Sequence, residues 1–197
     1  MKNDSPSYET QELRDFAETL QSRRTIELFL QTPIPDRLIN DAIEAAVWAP
    51  NHRLTEPWRF HVLAGAGRDA MADAVVEWLI ADGRPEGAQR SARSKLLRAP
   101  VILIVTQVGN PEDAVRDLED YASCSMAVQN LLLAAHAEGL IAHLSTDAMA
   151  LYEGAKRYLG LASYDRIVAY VNLGYARDGE PPKEGQREQP IVRWDWR

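Results

Sequence analysis

Two arginines followed by a threonine, Arg23-Arg24-Thr25, form the first group of residues in this chain whose types suit binding chemistry. Two guanidinium groups and a hydroxyl supply the charge-assisted hydrogen bonds that a phosphate dianion accepts. The alternative is a solvated helix end, where basic side chains are common because they oppose the helix dipole. The residue types therefore predict an anion site at 23–25, with the helix end as the more ordinary interpretation.

A second group lies in residues 49–60, which read APNHRLTEPWRF. Pro50 predicts the end of a helix, because proline lacks an N–H and disfavours helical geometry in the residue before it. His52 and Arg53 then put a titratable imidazole and a cation in a polar loop, before an alternating strand over 58–64. This order of elements predicts a ligand rim. For His52, a hydrogen bond that only orders the loop remains the alternative.

Hydrophobic periodicity predicts the elements that would position these groups. The expected helices are 12–21, 36–48, 91–98 and 120–139, with a further helix that follows a turn at 65–67 and runs to about residue 81. The expected strands are 58–64, 101–105, 140–144 and 166–173. Asp36 is the predicted cap of the second helix. The polar residues 82–90 predict a mobile loop or lid. Because helices and strands are interspersed without regular alternation, the predicted fold class is α+β, a sheet flanked by helices.

Composition limits the possible functions. A chain of 197 residues is ample for one domain, and its net charge of −7 argues against a nucleic-acid surface. No apolar run approaches the roughly 20 residues needed to span a bilayer, and the polar start lacks the pattern of a secretion signal. The single Cys124 suits a reducing compartment. We therefore expect a cytoplasmic single domain over 1–197, with 1–10 as a flexible tail and no membrane or nucleic-acid partner.

Several short segments, in order and spacing, resemble the FMN-dependent nitroreductase family, and in particular its short, compact branch. The resemblance extends from about Gln21 to Val192. The segments that carry it are Arg23-Arg24-Thr25, Pro33-Ile34-Pro35, Ala45-Ala46, Ala49-Pro50, Pro57-Trp58-Arg59-Phe60, Ala99-Pro100-Val101, the run AVQNLLLAA at 127–135, and Leu173-Gly174-Tyr175.

The resemblance implies a fold, a cofactor and an activity. The fold would be a central mixed or antiparallel sheet in an intertwined homodimer, with the flavin sites at the interface and a C-terminal extension, 175–197, crossing to the partner subunit. The activity would be FMN-dependent: NAD(P)H delivers hydride to the flavin, departs, and is replaced by a nitroaromatic, a quinone or a similar small acceptor. The flavin carries this chemistry, so the protein's task is placement and electrostatics.

The resemblance also implies a set of cofactor-binding residues. Arg23, Arg24 and Thr25 would hold the phosphate and sugar-alcohol chain, and two basic residues near the C-terminus would complete the phosphate site unless they are solvated surface charges. A tryptophan, a histidine and a short segment would frame the ring, although the tryptophan could equally be core. No residue is expected to be an obligatory acid or base. The two basic residues are Lys183 and Arg187, the tryptophan is Trp48, the histidine is His52, and the short segment is Leu144-Ser145-Thr146.

This chain departs from the family pattern at three positions. Leu54 and Glu56 stand where much of the family has Asn and Gln, and Asp147 stands where a glycine is common. These departures favour an alternative, a flavin-binding protein of the same fold with little or no turnover. A second alternative, from the acidic surface and the Trp-rich tail, is a cofactor-free helical interaction protein.

Other candidate groups have ordinary explanations. Residues 65–70, GAGRDA, lie between a strand and a helix like a dinucleotide fingerprint, but no strand with an acidic end follows at the required distance. His136 and His143 lack partners at metal-ligand spacing. Cys124 in a small-residue helix predicts packing, and the acidic residues 112–120 predict a solvated loop and helix start.

Overall fold

The computed structural model describes residues 11–146, 152–177, 187–188 and 190–193. Four strands form one antiparallel sheet in the order β1-β2-β4-β3. The strands are β1 (Trp58–Ala64), β2 (Val101–Gln107), β3 (Ile141–Ser145) and β4 (Arg166–Gly174). The helices are α1 (Gln11–Ser22), α2 (Asp36–Ala46), α3 (Gly65–Ala81), α4 (Glu86–Leu96), α5 (Ala114–Ala137) and α6 (Glu153–Tyr158).

Helices cover both faces of this sheet, which confirms the predicted α+β class. Helices α2 and α5 pack on one face, and α3, α4 and α6 pack on the other. The central strand β2 explains the two cores, because successive side chains of a strand point to opposite faces. Val101, Leu103 and Val105 contribute to the α2/α5 core, whereas Ile102 and Ile104 contribute to the α3/α4/α6 core. An unbroken apolar run is what a strand buried on both faces requires.

Some predicted boundaries are wrong. Helix α4 begins at Glu86, so the predicted loop 82–90 shrinks to four residues. Asp36 is the first helical residue of α2 and Pro35 occupies the cap position, so the predicted cap is wrong. Helix α6 was not predicted, and it is only six residues long. Short helices are hard to predict because they present less than two turns of periodicity.

The acidic segment before the long helix also differs from its prediction. Helix α5 begins six residues earlier than expected, because the Asp113 side chain caps it by accepting from the backbone N–H of Arg116 at 3.0 Å. Asp117 and Asp120 are buried rather than solvated. Asp117 accepts from Gln107 Nε2 at 2.9 Å, and this contact ties the start of α5 to the end of β2.

Several predictions fall outside the described residues. These are the tail 1–10, Asp147, Lys183 and most of the extension 175–197. Within the part of the extension that is described, Ile191 is 92% exposed. No helix among the described residues is both long and apolar enough to cross a membrane.

Candidate functional site

The Arg23-Arg24-Thr25 segment lies against the edge of the sheet. Helix α1 ends at Ser22, and the chain then runs in extended form beside β3, where Thr25 makes a parallel bridge with Ala142. The N–H of Ile26 donates to the carbonyl oxygen of Ala142 at 3.4 Å. The edge of the sheet therefore fixes the position of the predicted anion-binding residues.

A small cavity of about 80 Å³ opens between this segment, the end of α5 and the start of β3. Ser22 Oγ lies 2.9 Å from His136 Nε2 on its wall. The Arg24 guanidinium donates to the carbonyl oxygens of Gln21 and Arg23, so it also caps the end of α1, the alternative role expected from sequence. The cavity lining contains no carboxylate: it is formed by Ser22, Arg23, Arg24, Ile26, Leu132, His136, Leu140, Ile141 and Ala142.

The predicted ring-framing segment Leu144-Ser145-Thr146 lies on the same edge. The segment lies at the end of β3, two to four residues beyond Ala142, the bridge partner of Thr25. At 3.3 Å per residue, this separation along the strand is about 7–13 Å. Thr146 is exposed and Ser145 is half-buried. The structure thus brings two of the predicted groups, 23–25 and 144–146, together within one chain.

A charged group that sequence reasoning missed lies between them. Glu27 Oε1 is 3.6 Å from His143 Nε2, and Glu27 Oε2 is 3.4 Å from Arg98 Nη1. Burial and then the Arg98 charge lower the pKa of His143, and Glu27 opposes both. His143 Nδ1 is 3.3 Å from Ser145 Oγ, so the histidine connects this group to the ring-framing segment.

The other predicted ring-framing residues, Trp48 and His52, lie on a strained loop. Trp48 is 85% exposed, so the alternative of a core residue is wrong. His52 is also exposed, and its Nε2 accepts from Arg53 Nε at 3.2 Å. Three non-glycine residues beyond His52 adopt the left-handed region, with φ of 59° at Arg53, 51° at Leu54 and 45° at Glu56. Such residues cost about 1–3 kcal/mol each and persist only where the surroundings hold them.

Four polar side chains hold this loop, and we call them the loop latch: Asn51, Thr55, Asp120 and Ser123. Asn51 Oδ1 accepts from the N–H of Glu56 at 2.7 Å, and Asn51 Nδ2 donates to Thr55 Oγ1 at 2.9 Å. Thr55 Oγ1 donates to the buried Asp120 Oδ1 at 2.5 Å. The latch explains why Asp120 is buried, because this carboxylate anchors the loop.

The loop and the Arg23–Thr25 segment contact opposite parts of α5. Asn51 Nδ2 lies 3.5 Å from Ser123 Oγ, whereas Ser22 Oγ lies 2.9 Å from His136 Nε2. Ser123 and His136 are 13 residues apart, which is about 20 Å along the helix at 1.5 Å per residue. Within one chain, Asn51 and its neighbour His52 are therefore not brought to Arg23 and Thr25.

Apolar side chains are exposed around the loop and along the first half of α5. Leu54 is 81% exposed, Val115 is 70% exposed and Leu118 is 67% exposed, with Met126 further along the same helix at 40%. Adjacent exposed apolar side chains of this size mark an interaction surface more often than a solvated one.

The remaining predicted residues add little. Arg187 is exposed, and Lys183 lies outside the described residues. Cys124 is buried, and burial raises its pKa to about 12, which fits a packing role. Among the residues that the structure describes, no cluster of His, Cys, Asp and Glu side chains could hold a metal ion. The antiparallel sheet also rules out a dinucleotide fold around 65–70.

Comparison with known proteins identifies the family of this chain. A model of the nitroreductase family matches residues 20–175. YfhC of Bacillus subtilis strain 168, named a putative NAD(P)H nitroreductase, is 30% identical over 176 residues, 87% of this chain and 88% of YfhC. The crystal structure of a nitroreductase-like family protein from Bacillus cereus superposes with a TM-score of 0.79 at 26% identity, covering 89% of this chain and 91% of that chain.

A more distant structure has the same fold. The FMN-dependent nitroreductase NfnB from Mycobacterium smegmatis, solved in complex with NADPH, superposes with a TM-score of 0.66 at 20% identity over 84% of this chain and 90% of that chain. The family model covers most of the sequence, and YfhC aligns along nearly the whole of both chains. On this evidence, the protein belongs to the nitroreductase family.

Proposed function

We propose that this protein is a homodimeric FMN-dependent NAD(P)H oxidoreductase of the cytoplasm that reduces nitroaromatics, quinones or similar small acceptors in two successive half-reactions. The observation that carries the proposal is the cavity beside β3, where Arg23, Arg24 and Ser22 converge without a carboxylate in the lining. In a chain with an overall charge of −7, such a local cluster of donors favours an anion.

The residues around this cavity fit FMN. Arg23, Arg24 and the Thr25 hydroxyl have the donor chemistry that a phosphate requires, and the 144–146 segment lies further along the same edge, where the ring would follow. When bound, FMN would accept hydride from NAD(P)H and pass electrons to the acceptor. The chain's own contribution would be to bind the phosphate, orient the ring and tune the surrounding charge.

The dimer in this proposal rests on geometry within one chain. Asn51, next to His52 in the loop, contacts a part of α5 about 20 Å from the part that His136 contributes to the cavity. If the loop frames the flavin ring, a second copy is the natural source of the loop. The exposed Leu54, Val115 and Leu118 provide an apolar surface for such a copy. The exposed Ile191 suits an extension that packs on the partner.

The runner-up is a flavin-binding protein with little turnover. Leu54 presents a hydrocarbon where much of the family has an amide, and the loop latch fixes it in place through the N–H of Glu56. Turnover by the flavin-loaded protein distinguishes the two functions, because both bind FMN.

The test is a titration of the purified protein with FMN, followed by visible absorbance and flavin fluorescence. We expect about one FMN per chain, and NAD(P)H oxidation that depends on a nitroaromatic or a quinone. Arg23→Gln should weaken FMN binding by at least about tenfold, because it removes a charge-assisted contact of about 1.5–3 kcal/mol. Arg23 is preferable to Arg24 for this purpose, since Arg24 also caps α1.

The matched control is Arg90→Gln, which removes an exposed arginine that pairs with Glu86 on the surface of α4. It should bind FMN like the unaltered protein. Failure to bind FMN at micromolar concentration would refute the proposal, and binding without NAD(P)H oxidation would support the runner-up.

A further inference from the structure

His136 occupies a position that sequence reasoning did not connect with the anion site. It lies in the last turn of α5, 114 residues after Ser22, yet the Ser22 hydroxyl is 2.9 Å from its Nε2. The same cavity includes Arg23 and Arg24. Three basic side chains and a hydroxyl therefore surround a volume of about 80 Å³, more than twice the 30 Å³ that one water molecule occupies in the liquid.

The charges around His136 come from few elements. The connector after α1 contributes Arg23 and Arg24, and α1 contributes Glu18, which shares an outer groove with Arg24. The start of β3 contributes Ile141 and Ala142, which are uncharged. Glu138, the residue after the end of α5, does not line the cavity, and its Oε2 lies 3.9 Å from Arg37 Nη2.

We propose that His136 and Ser22 complete the phosphate-binding site formed by Arg23 and Arg24, and that His136 takes up a proton when the phosphate of FMN binds. This inference rests on the proposed function and adds two residues and a proton to it. His136 is a binding residue here and has no role in the redox chemistry.

The direction of the coupling follows from electrostatics. Without a ligand, burial and the charges of Arg23 and Arg24 lower the pKa of His136. A dianion in the cavity neutralises the arginines and favours the imidazolium, so binding raises that pKa. A ligand whose binding takes up a proton binds more tightly as the pH falls, by at most tenfold per pH unit. The effect should appear above about pH 6, where the phosphate keeps both charges.

The experiment measures the dissociation constants of FMN and riboflavin at pH 6.5, 7.5 and 8.5. Riboflavin lacks the phosphate, so it reports binding of the ring alone. We expect FMN binding to weaken by about threefold or more from pH 6.5 to 8.5, and riboflavin binding to stay constant. His136→Gln, which keeps a polar group near the Nε2 position, should bind FMN more weakly and lose the pH dependence.

The control is His61→Gln. His61 is also half-buried with a lowered pKa, but it lies on β1 and contacts Thr106 Oγ1 at 3.1 Å, away from the cavity. It should keep the pH dependence of the unaltered protein. A direct readout is the proton NMR titration of the His136 ring, assigned by its loss in His136→Gln; FMN should move its midpoint upward.

The outcomes distinguish a failure of the His136 proposal from a failure of the proposed FMN-dependent function. An FMN preference over riboflavin whose pH dependence survives in His136→Gln would overturn this inference and leave the proposed function intact. An unchanged NMR midpoint on adding FMN would do the same. Failure of both flavins to bind would overturn the proposed function itself, and this inference with it.

Discussion

Replacing Thr55 by valine removes the centre of the loop latch while keeping the shape of the side chain. Thr55 Oγ1 donates to Asp120 Oδ1 at 2.5 Å and accepts from Asn51 Nδ2 at 2.9 Å. Asp120 is only 5% exposed, so the variant leaves a buried carboxylate without this donor. A hydrogen bond to a charged group contributes about 1.5–3 kcal/mol, and a neutral one about 1 kcal/mol. We therefore expect Thr55→Val to lower the free energy of unfolding by about 2.5–4 kcal/mol.

Because the loop backbone is strained, losing the Thr55 hydrogen bonds should also affect FMN binding. Arg53, Leu54 and Glu56 together store several kcal/mol of left-handed strain, at about 1–3 kcal/mol for each residue. The latch offsets that strain, so weakening it should let the loop relax and shift His52 from its observed position. FMN binding should weaken together with stability.

The assay is urea unfolding at pH 7 of the flavin-free protein, followed by far-ultraviolet circular dichroism at one protein concentration. With a slope of about 2 kcal/mol/M, the expected loss lowers the midpoint by about 1.2–2 M. The control is Thr55→Ser, which keeps the hydroxyl and loses only a half-buried methyl group, for less than about 0.8 kcal/mol. If the free energies of unfolding of the valine and serine variants differ by less than about 0.5 kcal/mol, a margin close to experimental error, the stabilising role of the latch is refuted.

Three further predictions concern packing and assembly. Gly154→Ala should lower the free energy of unfolding by about 1–3 kcal/mol, because a Cβ there would lie 2.7 Å from Trp78 Cβ. Gly87→Ala, in open space on α4, should raise the free energy of unfolding by about 0.5–1 kcal/mol. Thermal unfolding compares the two variants. Leu118→Asp should dissociate the proposed dimer in sedimentation velocity, whereas Ile80→Asp on α3, at a site that is 57% exposed against 67% for Leu118, should not. Equal behaviour of the two variants would exclude α5 from the interface. The single thiol should resist an aromatic disulfide reagent at pH 8 until urea unfolds the protein, because burial raises its pKa to about 12; rapid reaction of the native protein would contradict this.

Much of the fold was predictable because its signals are local. The apolar run at β2 and the helical stripe of α2 each report burial directly in the sequence, and both elements form where expected. The start of α5 was missed because Asp117 and Asp120 look like solvated charges. Their burial depends on Gln107 and Thr55, partners that only the folded chain supplies.

The site was predictable to a lesser degree. Residue types and family resemblance named Arg23-Arg24-Thr25, but its position beside β3 depends on a bridge to Ala142 across more than 100 residues. His136 was considered only as a metal ligand, because no local spacing links it to Ser22. The left-handed conformations at 53, 54 and 56 could not be predicted from the sequence, since Leu54 and Glu56 are not residue types that favour that conformation.

The measurement that tests the account most directly uses mixed dimers purified through two different tags. One chain carries Arg23→Ala and Arg24→Ala, and the other carries Trp48→Ala and His52→Ala. If each flavin site combines the arginines of one copy with the loop of the other, the mixed dimer has one intact site and should bind one FMN with the affinity of the unaltered protein, while either altered homodimer binds none. Two tightly bound FMN in the unaltered dimer and none in the mixed dimer would contradict the shared site.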